Sequence, residues 1–368
     1  MAARPASDLA QEHLISRLSG LDRLLPVWIL LAMAAGLGLG RLWPSLAALL
    51  HRIQVGTVSV PIAIGLLVMM YPVLARVDYG RLPRVTADRR LVAASLLLNW
   101  VVGPALMFTL AWLLLPDLPA YRTGVILVGL ARCIAMVLIW NDLAGGDREA
   151  AAVLVALNAV FQVVAYAGLG AFYLRILPGW LGLARSSLRV SPLTIAAMVG
   201  VFLGVPLLAG ALTRLVGTRR RGALWYERQF LPRIGPWALY GLLFTVVVLF
   251  ALQGRAITTD PVAVVRIALP LLAYFALMWG SSFWVGRRLG LAYPRVTTLA
   301  FTAAGNNFEL AIAVAIGVFG VASGEALAGV VGPLIEVPAL VGLVYVSLWI
   351  RRRWRTAGPL PAGGTPSS

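Results

Sequence analysis

The chain has 368 residues, of which 60% are hydrophobic and only 12% are charged. A soluble domain is about half apolar and a quarter charged, so this composition excludes an ordinary soluble protein and indicates several membrane spans. All 31 basic residues are arginine, and the formal net charge is +17. In a membrane protein, such an excess reflects loop arginines at an anionic lipid surface, so we expect no nucleic-acid partner.

Ten apolar runs are long enough to cross a bilayer as helices, because one span requires about 20 residues. Continuous runs of this length favour a helical bundle over a β-barrel, whose strands alternate over about 10 residues. We therefore predict an all-α membrane protein with ten transmembrane helices. The predicted spans cover residues 25–48, 55–75, 91–115, 120–142, 149–174, 192–216, 236–254, 262–286, 295–319 and 325–350.

The spans divide the chain into three parts. Residues 1–24 are polar and lack the apolar core and cleavage site of a signal peptide, so we expect a cytoplasmic N-terminal segment. Residues 25–350 form the predicted transmembrane domain. Residues 351–368 become rich in proline, glycine and serine after Arg355, and we predict a cytoplasmic disordered tail there.

The positions of the arginines predict how the chain is oriented. With the N-terminus inside, the inner segments and the span ends next to them hold 22 arginines, and the outer segments and their adjoining span ends hold 6. The other three, Arg41, Arg132 and Arg266, lie further inside spans. Because arginine accumulates on the cytoplasmic side, we expect both termini in the cytoplasm of a protein of the cell (inner) membrane. An even number of spans, such as ten, agrees with this orientation.

Ten spans divide into two halves of five. A repeat with an odd number of spans enters the membrane from the opposite face the second time, so the two halves must be inverted. A short match supports this division, since Pro61–Leu67 (PIAIGLL) resembles Pro236–Leu243 (PWALYGLL). We predict repeat one over residues 25–175 and repeat two over residues 191–350.

Span four carries a charge and the only cysteine near its middle. Arg132 and Cys133 are adjacent within the otherwise apolar stretch Val128–Asp142. A charge in hydrocarbon costs several kcal/mol on insertion scales, so Arg132 requires a partner or a polar cavity. Cys133 is either a small buried core residue or, beside the Arg132 cation, a thiolate.

Span nine carries a second polar stretch, in which Gly305, Asn306, Asn307 and Glu309 follow one another closely. Glycine and asparagine are poor helix formers, so this sequence predicts a break in the helix. Broken helices at corresponding places in two repeats direct their free N–H groups towards one point and are typical of transporter sites. We therefore predict that helices four and nine are discontinuous, cross each other and form one site.

Three acidic residues are candidates for this site. Glu309 is either a structural partner for Arg132 or a carboxyl group that takes up and releases a proton during a cycle. Glu336 is a second candidate partner for Arg132 or for a cation. Asp142, near the end of span four, is either solvated or part of an ion pair or cation site. The single cysteine excludes a multi-cysteine metal site, and we predict no cofactor.

The stretches GLARCIAMVLIWNDLAGGD (Gly129–Asp147) and FTAAGNNFELAIAVAI (Phe301–Ile316) together resemble the arsenical-resistance efflux transporters of the bile acid/sodium symporter superfamily. The resemblance implies ten spans in two inverted repeats with crossed, broken helices in spans four and nine. It also implies export of trivalent arsenic as arsenite, sometimes with antimonite, coupled to inward movement of protons. On this resemblance, Cys133 and Glu309 matter for transport.

The chemistry of the residues agrees with this implication. Trivalent arsenic is thiophilic, and a single thiolate, that of Cys133, can bind arsenic and release it again. Asn306, Asn307 and Arg132 are expected to hydrogen-bond the oxygens on arsenic. Glu309 is expected to couple transport to protons.

Other functions are compatible with the same architecture. A sodium-coupled symporter of organic anions would use Glu336 and the polar residues of span nine as sodium ligands, and Arg132 would face a carboxylate. A membrane enzyme is disfavoured because the predicted spans contain no histidine, cofactor motif or pair of nucleophile and base. Charges within interrupted helices also suit alternating access better than a passive channel.

Overall fold

The computed structural model describes residues 24–43, 45–46, 53–55, 58–77, 88–183 and 191–356. These residues are almost entirely helical, apart from a short antiparallel pair of strands, β1 (Gln54–Val55) and β2 (Val58–Ser59). The helices are α1 (Leu25–Leu42), α2 (Val60–Ala75), α3 (Arg89–Leu114), α4 (Pro119–Leu130), α5 (Met136–Leu143), α6 (Arg148–Trp180), α7 (Pro192–Arg221), α8 (Leu231–Thr259), α9 (Pro261–Arg288), α10 (Tyr293–Ala304), α11 (Phe308–Phe319) and α12 (Gly324–Thr356).

Most of these helices are apolar. Helices α3, α6, α7, α9 and α12, together with α8 and the helical turns before it, are long and apolar enough to cross a membrane. Helices α1, α2 and α11 are shorter and also apolar. A helix satisfies its backbone hydrogen bonds internally, which a segment in lipid requires. The predicted all-α, multi-pass membrane class is therefore confirmed.

One predicted boundary differs from the structure. Helix α12 continues to Thr356, whereas the disordered tail was predicted to begin at residue 351. Arginine side chains stack on aromatic rings in this last part of the helix, with Arg353 lying 3.9 Å from the Trp349 ring centre. Such contacts favour continued helix at the membrane surface. The rest of the predicted tail, and residues 1–23 of the predicted N-terminal segment, lie outside the described residues.

The described residues contain four wider, π-helical turns, and a proline follows each of them. Proline has no N–H group, and its ring clashes with the carbonyl group four residues earlier, so the helix widens just before it. The turns are Leu98–Val102 before Pro104, Phe172–Ile176 before Pro178, Gly200–Gly204 before Pro206, and Tyr226–Phe230 before Pro232. In each case the carbonyl group four residues before the proline lies inside the widened turn.

Helices α1 and α2 pack against α8, α7 packs against α2, and small residues permit their close approach. A β-carbon added to Gly36 of α1 would lie 2.6 Å from the Val247 carbonyl oxygen of α8. A β-carbon added to Gly241 of α8 would lie 2.7 Å from the Met69 backbone nitrogen of α2. Small residues at such contacts are the usual means by which membrane helices associate. The remaining helices enclose the two polar stretches.

Candidate functional site

The predicted fourth and ninth spans are each interrupted by a short non-helical segment. Residues 131–135 separate α4 from α5, and residues 305–307 separate α10 from α11. Ala131 (φ −90°, ψ 127°) and Gly305 (φ −69°, ψ 138°) both have an extended backbone. Arg132 and Cys133 lie in the first break, Asn306 and Asn307 lie in the second, and Glu309 lies just after the second break.

The two breaks contact each other as a short antiparallel bridge centred on Arg132 and Asn306. The bridge consists of two hydrogen bonds, from the Cys133 N–H group to the Gly305 carbonyl oxygen (3.2 Å) and from the Asn307 N–H group to the Ala131 carbonyl oxygen (3.1 Å). Unwound backbone inside an apolar bundle must find such partners. The breaks therefore stabilise each other and hold both polar stretches at one place.

Arg132 is fully buried, and its hydrogen bonds go to neutral groups. One Nη atom donates to the Tyr274 hydroxyl at 2.6 Å and to the Ala303 carbonyl oxygen at 3.2 Å. The other donates to the Gly129 carbonyl oxygen, and the backbone N–H group donates to Gln162 Oε1. These bonds tie the first break to helices α6, α9 and α10. The Nε atom has no hydrogen-bond partner among the described residues.

Cys133 lies in the first break and is only 4% exposed. Its sulfur lies beside the backbone N–H groups of Ala135 and Val137, where α5 begins. A β-carbon added to Gly305 would lie 2.9 Å from the Cys133 β-carbon, so the second break approaches the cysteine as closely as a glycine permits. The sulfur thus faces the free N–H groups of a helix start, which can donate hydrogen bonds to it.

Two carboxyl groups lie within electrostatic range of this sulfur. Glu309 belongs to the first turn of α11 and is partly exposed, whereas Glu336 of α12 is fully buried. Each interacts electrostatically with Cys133, and the two interact with each other. Glu336 lies near the Asn306 N–H group, but neither of its oxygens has a hydrogen-bond partner among the described residues. The ion pairs formed by described residues do not include either carboxylate with Arg132.

The two asparagines of the second break differ in their contacts. Asn307 caps α11, because its Oδ1 atom accepts a hydrogen bond from the Leu310 N–H group at 3.0 Å. Its Nδ2 atom has no partner among the described residues, and neither has the amide group of Asn306 nor Nε2 of Gln162. Buried polar groups are nearly always hydrogen-bonded, so amide groups left over in one place are candidates to bind a polar solute.

Asp142 takes part in a different cluster at the far end of α5. It forms an ion pair with Arg148 at 2.8 Å. The neighbouring Asn141 accepts a hydrogen bond from Thr298 of α10 at 2.8 Å. These contacts join the ends of α5, α6 and α10. The predicted site residue Asp142 is therefore placed with the helix ends and not with the two breaks.

Three residues at the breaks were not among the predicted site residues. Tyr166 of α6 holds α4, since its hydroxyl donates to the Leu127 carbonyl oxygen at 2.8 Å, and Gln162 of α6 holds the break by accepting from the Arg132 N–H group. Tyr274 of α9 accepts the hydrogen bond from Arg132. Gln162 could have been recognised as a candidate from the sequence, because it is a polar residue in an apolar span. The two tyrosines could not have been recognised in this way, since tyrosine is common at membrane interfaces.

Comparison with known proteins identifies the family. The Sodium Bile acid symporter family matches residues 63–260. The arsenical-resistance protein Acr3 of Corynebacterium glutamicum is 56% identical over 335 residues, which cover 91% of this chain and 90% of that protein. The chain belongs to the arsenical-resistance transporters of the sodium bile acid symporter family.

Two further relatives agree with this assignment. Acr3 of Alkaliphilus metalliredigens is 30% identical over 336 residues, covering 89% of this chain and 92% of that protein. An uncharacterized transporter of Synechocystis is 36% identical over 344 residues, covering 88% of each chain. The resemblance based on the two polar stretches is thus confirmed, and this member of the family is a transporter and not an enzyme.

Proposed function

We propose that this arsenical-resistance transporter exports trivalent arsenic, as arsenite, from the cytoplasm by antiport against protons. The observation that carries the proposal is the position of Cys133, the only thiol of the chain, within electrostatic range of two carboxyl groups where two broken helices meet. A soft sulfur ligand suits trivalent arsenic, and unpartnered amide groups suit its oxygens. The names of two relatives, both arsenical-resistance proteins, support the same substrate class.

The substrate binds by exchange of one arsenic ligand. The Cys133 sulfur forms a bond to arsenic in As(OH)3, one As–O bond breaks, and the thiol proton leaves with the hydroxyl group as water. Asn306, Asn307 and Arg132 hydrogen-bond the two remaining hydroxyl groups. A single sulfur ligand keeps this exchange reversible, which release on the other side requires. Antimonite undergoes the same exchange and is proposed as a second substrate.

Glu309 carries the coupled proton in this proposal. It is partly exposed, so it can exchange protons with water, and it interacts electrostatically with Cys133. Uptake of a proton from outside accompanies the return of the empty site, and loss of the proton inside accompanies loading of arsenite. Glu336, which is buried and lacks hydrogen-bond partners among the described residues, is a second carboxyl group that shares this charge or completes a cation site.

Alternating access is proposed to use ten spans in two inverted repeats, residues 25–175 and 191–350. Helices α4 and α5 together form the fourth span, and α10 and α11 form the ninth. The antiparallel bridge supports this arrangement, because its two hydrogen bonds lie symmetrically about Arg132 and Asn306. The excess of arginines in alternate loops supports a cell-membrane protein with both termini in the cytoplasm.

Arsenite uptake into everted membrane vesicles tests the proposal, with proton and sodium gradients imposed separately. We expect saturable accumulation driven by the proton gradient, lost in Cys133→Ser and uncoupled from pH in Glu309→Gln. Glu227→Gln serves as the matched control, because Glu227 is exposed and pairs with Arg214 at a different place. Undiminished uptake by Cys133→Ser would remove the sulfur step, and full pH-driven uptake by Glu309→Gln would remove the proton step.

A sodium-coupled symporter of organic anions is the second candidate. The match to the Sodium Bile acid symporter family and the electrostatic interaction between the carboxyl groups of Glu309 and Glu336 favour it. In that case Asn306 and Asn307 also ligate sodium. Accumulation of an organic anion in the same vesicles would then require a sodium gradient and would be unaffected by Cys133→Ser.

A further inference from the structure

A groove of about 430 Å³ lies where the chain turns back from α7 into the helical turns that precede α8. The reversal occurs at Gly222, whose φ of 85° is readily adopted only by glycine. None of the residues of the two breaks contributes to this groove. It is lined by Leu212, Thr213, Val216, Gly217, Arg220, Arg221, Trp225, Tyr226 and Phe230.

The interior of the groove is apolar, and stacked aromatic rings form one wall. Leu212 and Val216 of α7 are 59% and 47% exposed, so this part of the helix faces the surroundings of the protein. On the opposite wall, the Phe230 ring stacks on those of Trp225 and Tyr226, with ring centres 5.7 Å and 5.0 Å apart. An exposed apolar trough of this kind on a membrane-spanning helix lies against lipid.

The mouth of the groove is positively charged. Arg220 and Arg221 belong to the last turn of α7, where the helix dipole favours cations, and Arg221 lies 4.7 Å from the Trp225 ring centre. The ion pairs between described residues involve neither of these two arginines. The acidic residue nearest in sequence, Glu227, pairs with Arg214 instead. Two guanidinium groups are thus available to an anion.

We propose that this groove binds an anionic phospholipid, whose phosphate group contacts Arg220 and Arg221 while an acyl chain lies along Leu212 and Val216. Arginine binds phosphate oxygens in a bidentate manner, and basic pockets between membrane helices bind anionic headgroups. The apolar interior accounts for the chain of the lipid, which a free phosphate ion lacks. A zwitterionic lipid has the same phosphate and acyl chain, but its headgroup cation cancels the negative charge and is repelled by the two arginines, so we expect it to bind more weakly.

Native mass spectrometry of the full-length, delipidated protein tests this proposal. Phosphatidylglycerol and phosphatidylcholine with identical acyl chains are added separately, and bound lipid is counted. We expect phosphatidylglycerol to bind preferentially, and the double variant Arg220→Gln/Arg221→Gln to bind it about 30-fold more weakly, because each arginine contributes about fivefold near an anionic lipid. Val216→Trp, which fills the trough but keeps both arginines, is expected to bind it at least about tenfold more weakly, since it displaces the acyl chain.

The matched control is Arg287→Gln/Arg288→Gln. These arginines also end a helix, α9, and stack on Trp354 and Trp284, but they do not line the groove. The control should bind lipid like the wild type, and unchanged helical circular dichroism shows that each variant is folded. Equal binding of the two lipids, or equal effects of both arginine pairs, would overturn the proposal. Full displacement of bound phosphatidylglycerol by added inorganic phosphate would also overturn it, because the groove would then be a site for a soluble anion.

Discussion

Tyr274→Phe tests whether the contacts of Arg132 hold the two breaks together. The substitution keeps the aromatic ring and removes one oxygen, which accepts a 2.6 Å hydrogen bond from Arg132 and donates to the Ala303 carbonyl oxygen at 3.4 Å. Both side chains are fully buried, so water does not replace the lost partner. A hydrogen bond to a charged group contributes about 1.5–3 kcal/mol, and the same free energy should be lost from the closed arrangement of the breaks.

Cys133 makes this loss measurable. It is the only cysteine of the chain and is 4% exposed, so a thiol-reactive dye reaches it only when the site opens. If opening is fast relative to labelling, the labelling rate follows the population of the open state. A loss of about 1.5–3 kcal/mol then raises this rate about 10- to 150-fold, since about 1.4 kcal/mol corresponds to a factor of ten.

Tyr173→Phe is the matched control, because Tyr173 is also buried and its described contacts are with the rings of Phe108 and Phe172. Its labelling rate should stay within about twofold of the wild type, as no bond to a charge is lost. The reasoning is refuted if Tyr274→Phe labels as slowly as the wild type. It is also refuted if both variants label equally fast, because the effect would then belong to any buried tyrosine.

Three further predictions concern the second break and the α3–α4 connection. Asn307→Ala removes the cap of α11 and should destabilise the site by about 0.5–2 kcal/mol, seen as faster labelling of Cys133. Gly305→Ala places a β-carbon 2.9 Å from that of Cys133 and should lower the rate of arsenite uptake by displacing the sulfur. The hydrogen-bonded Arg266 lowers the pKa of Asp117 to about 2, so its stabilising effect should be lost as the pH falls from about 4 to about 2. Arg266→Gln should remove this part of the pH dependence of Tm.

Each of these predictions has its own control. Asn307→Asp keeps an oxygen that caps α11 and should restore slow labelling, and failure to do so would argue against capping. Gly280→Ala, whose β-carbon meets nothing within 4 Å, should transport normally. Asp117→Asn should flatten the pH dependence as Arg266→Gln does, and an unchanged slope between about pH 4 and pH 2 would assign it to other groups.

The class of this protein could be read from its sequence, because the signals are local. An apolar run of about 20 residues identifies a membrane helix whatever its neighbours are. The break at residues 305–307 is similarly local, since glycine and asparagine form helices poorly. The two polar stretches also carried the resemblance to the family, and the similarity of the relatives over most of the chain confirms it. For these features, no contact between distant residues had to be known.

The tertiary structure decided which groups meet. Residues 131–135 (ARCIA) contain neither glycine nor proline, so their sequence does not predict a break. The helix is interrupted at these residues, and their backbone groups form hydrogen bonds with the second break and with Gln162 instead. Arg132 bonds Tyr274, which is 142 residues away, whereas the candidate partners in the sequence were Glu309 and Glu336. The hydrogen-bond partner of a buried polar group is fixed only when distant helices pack together, because the group bonds whichever donor or acceptor the fold places within reach.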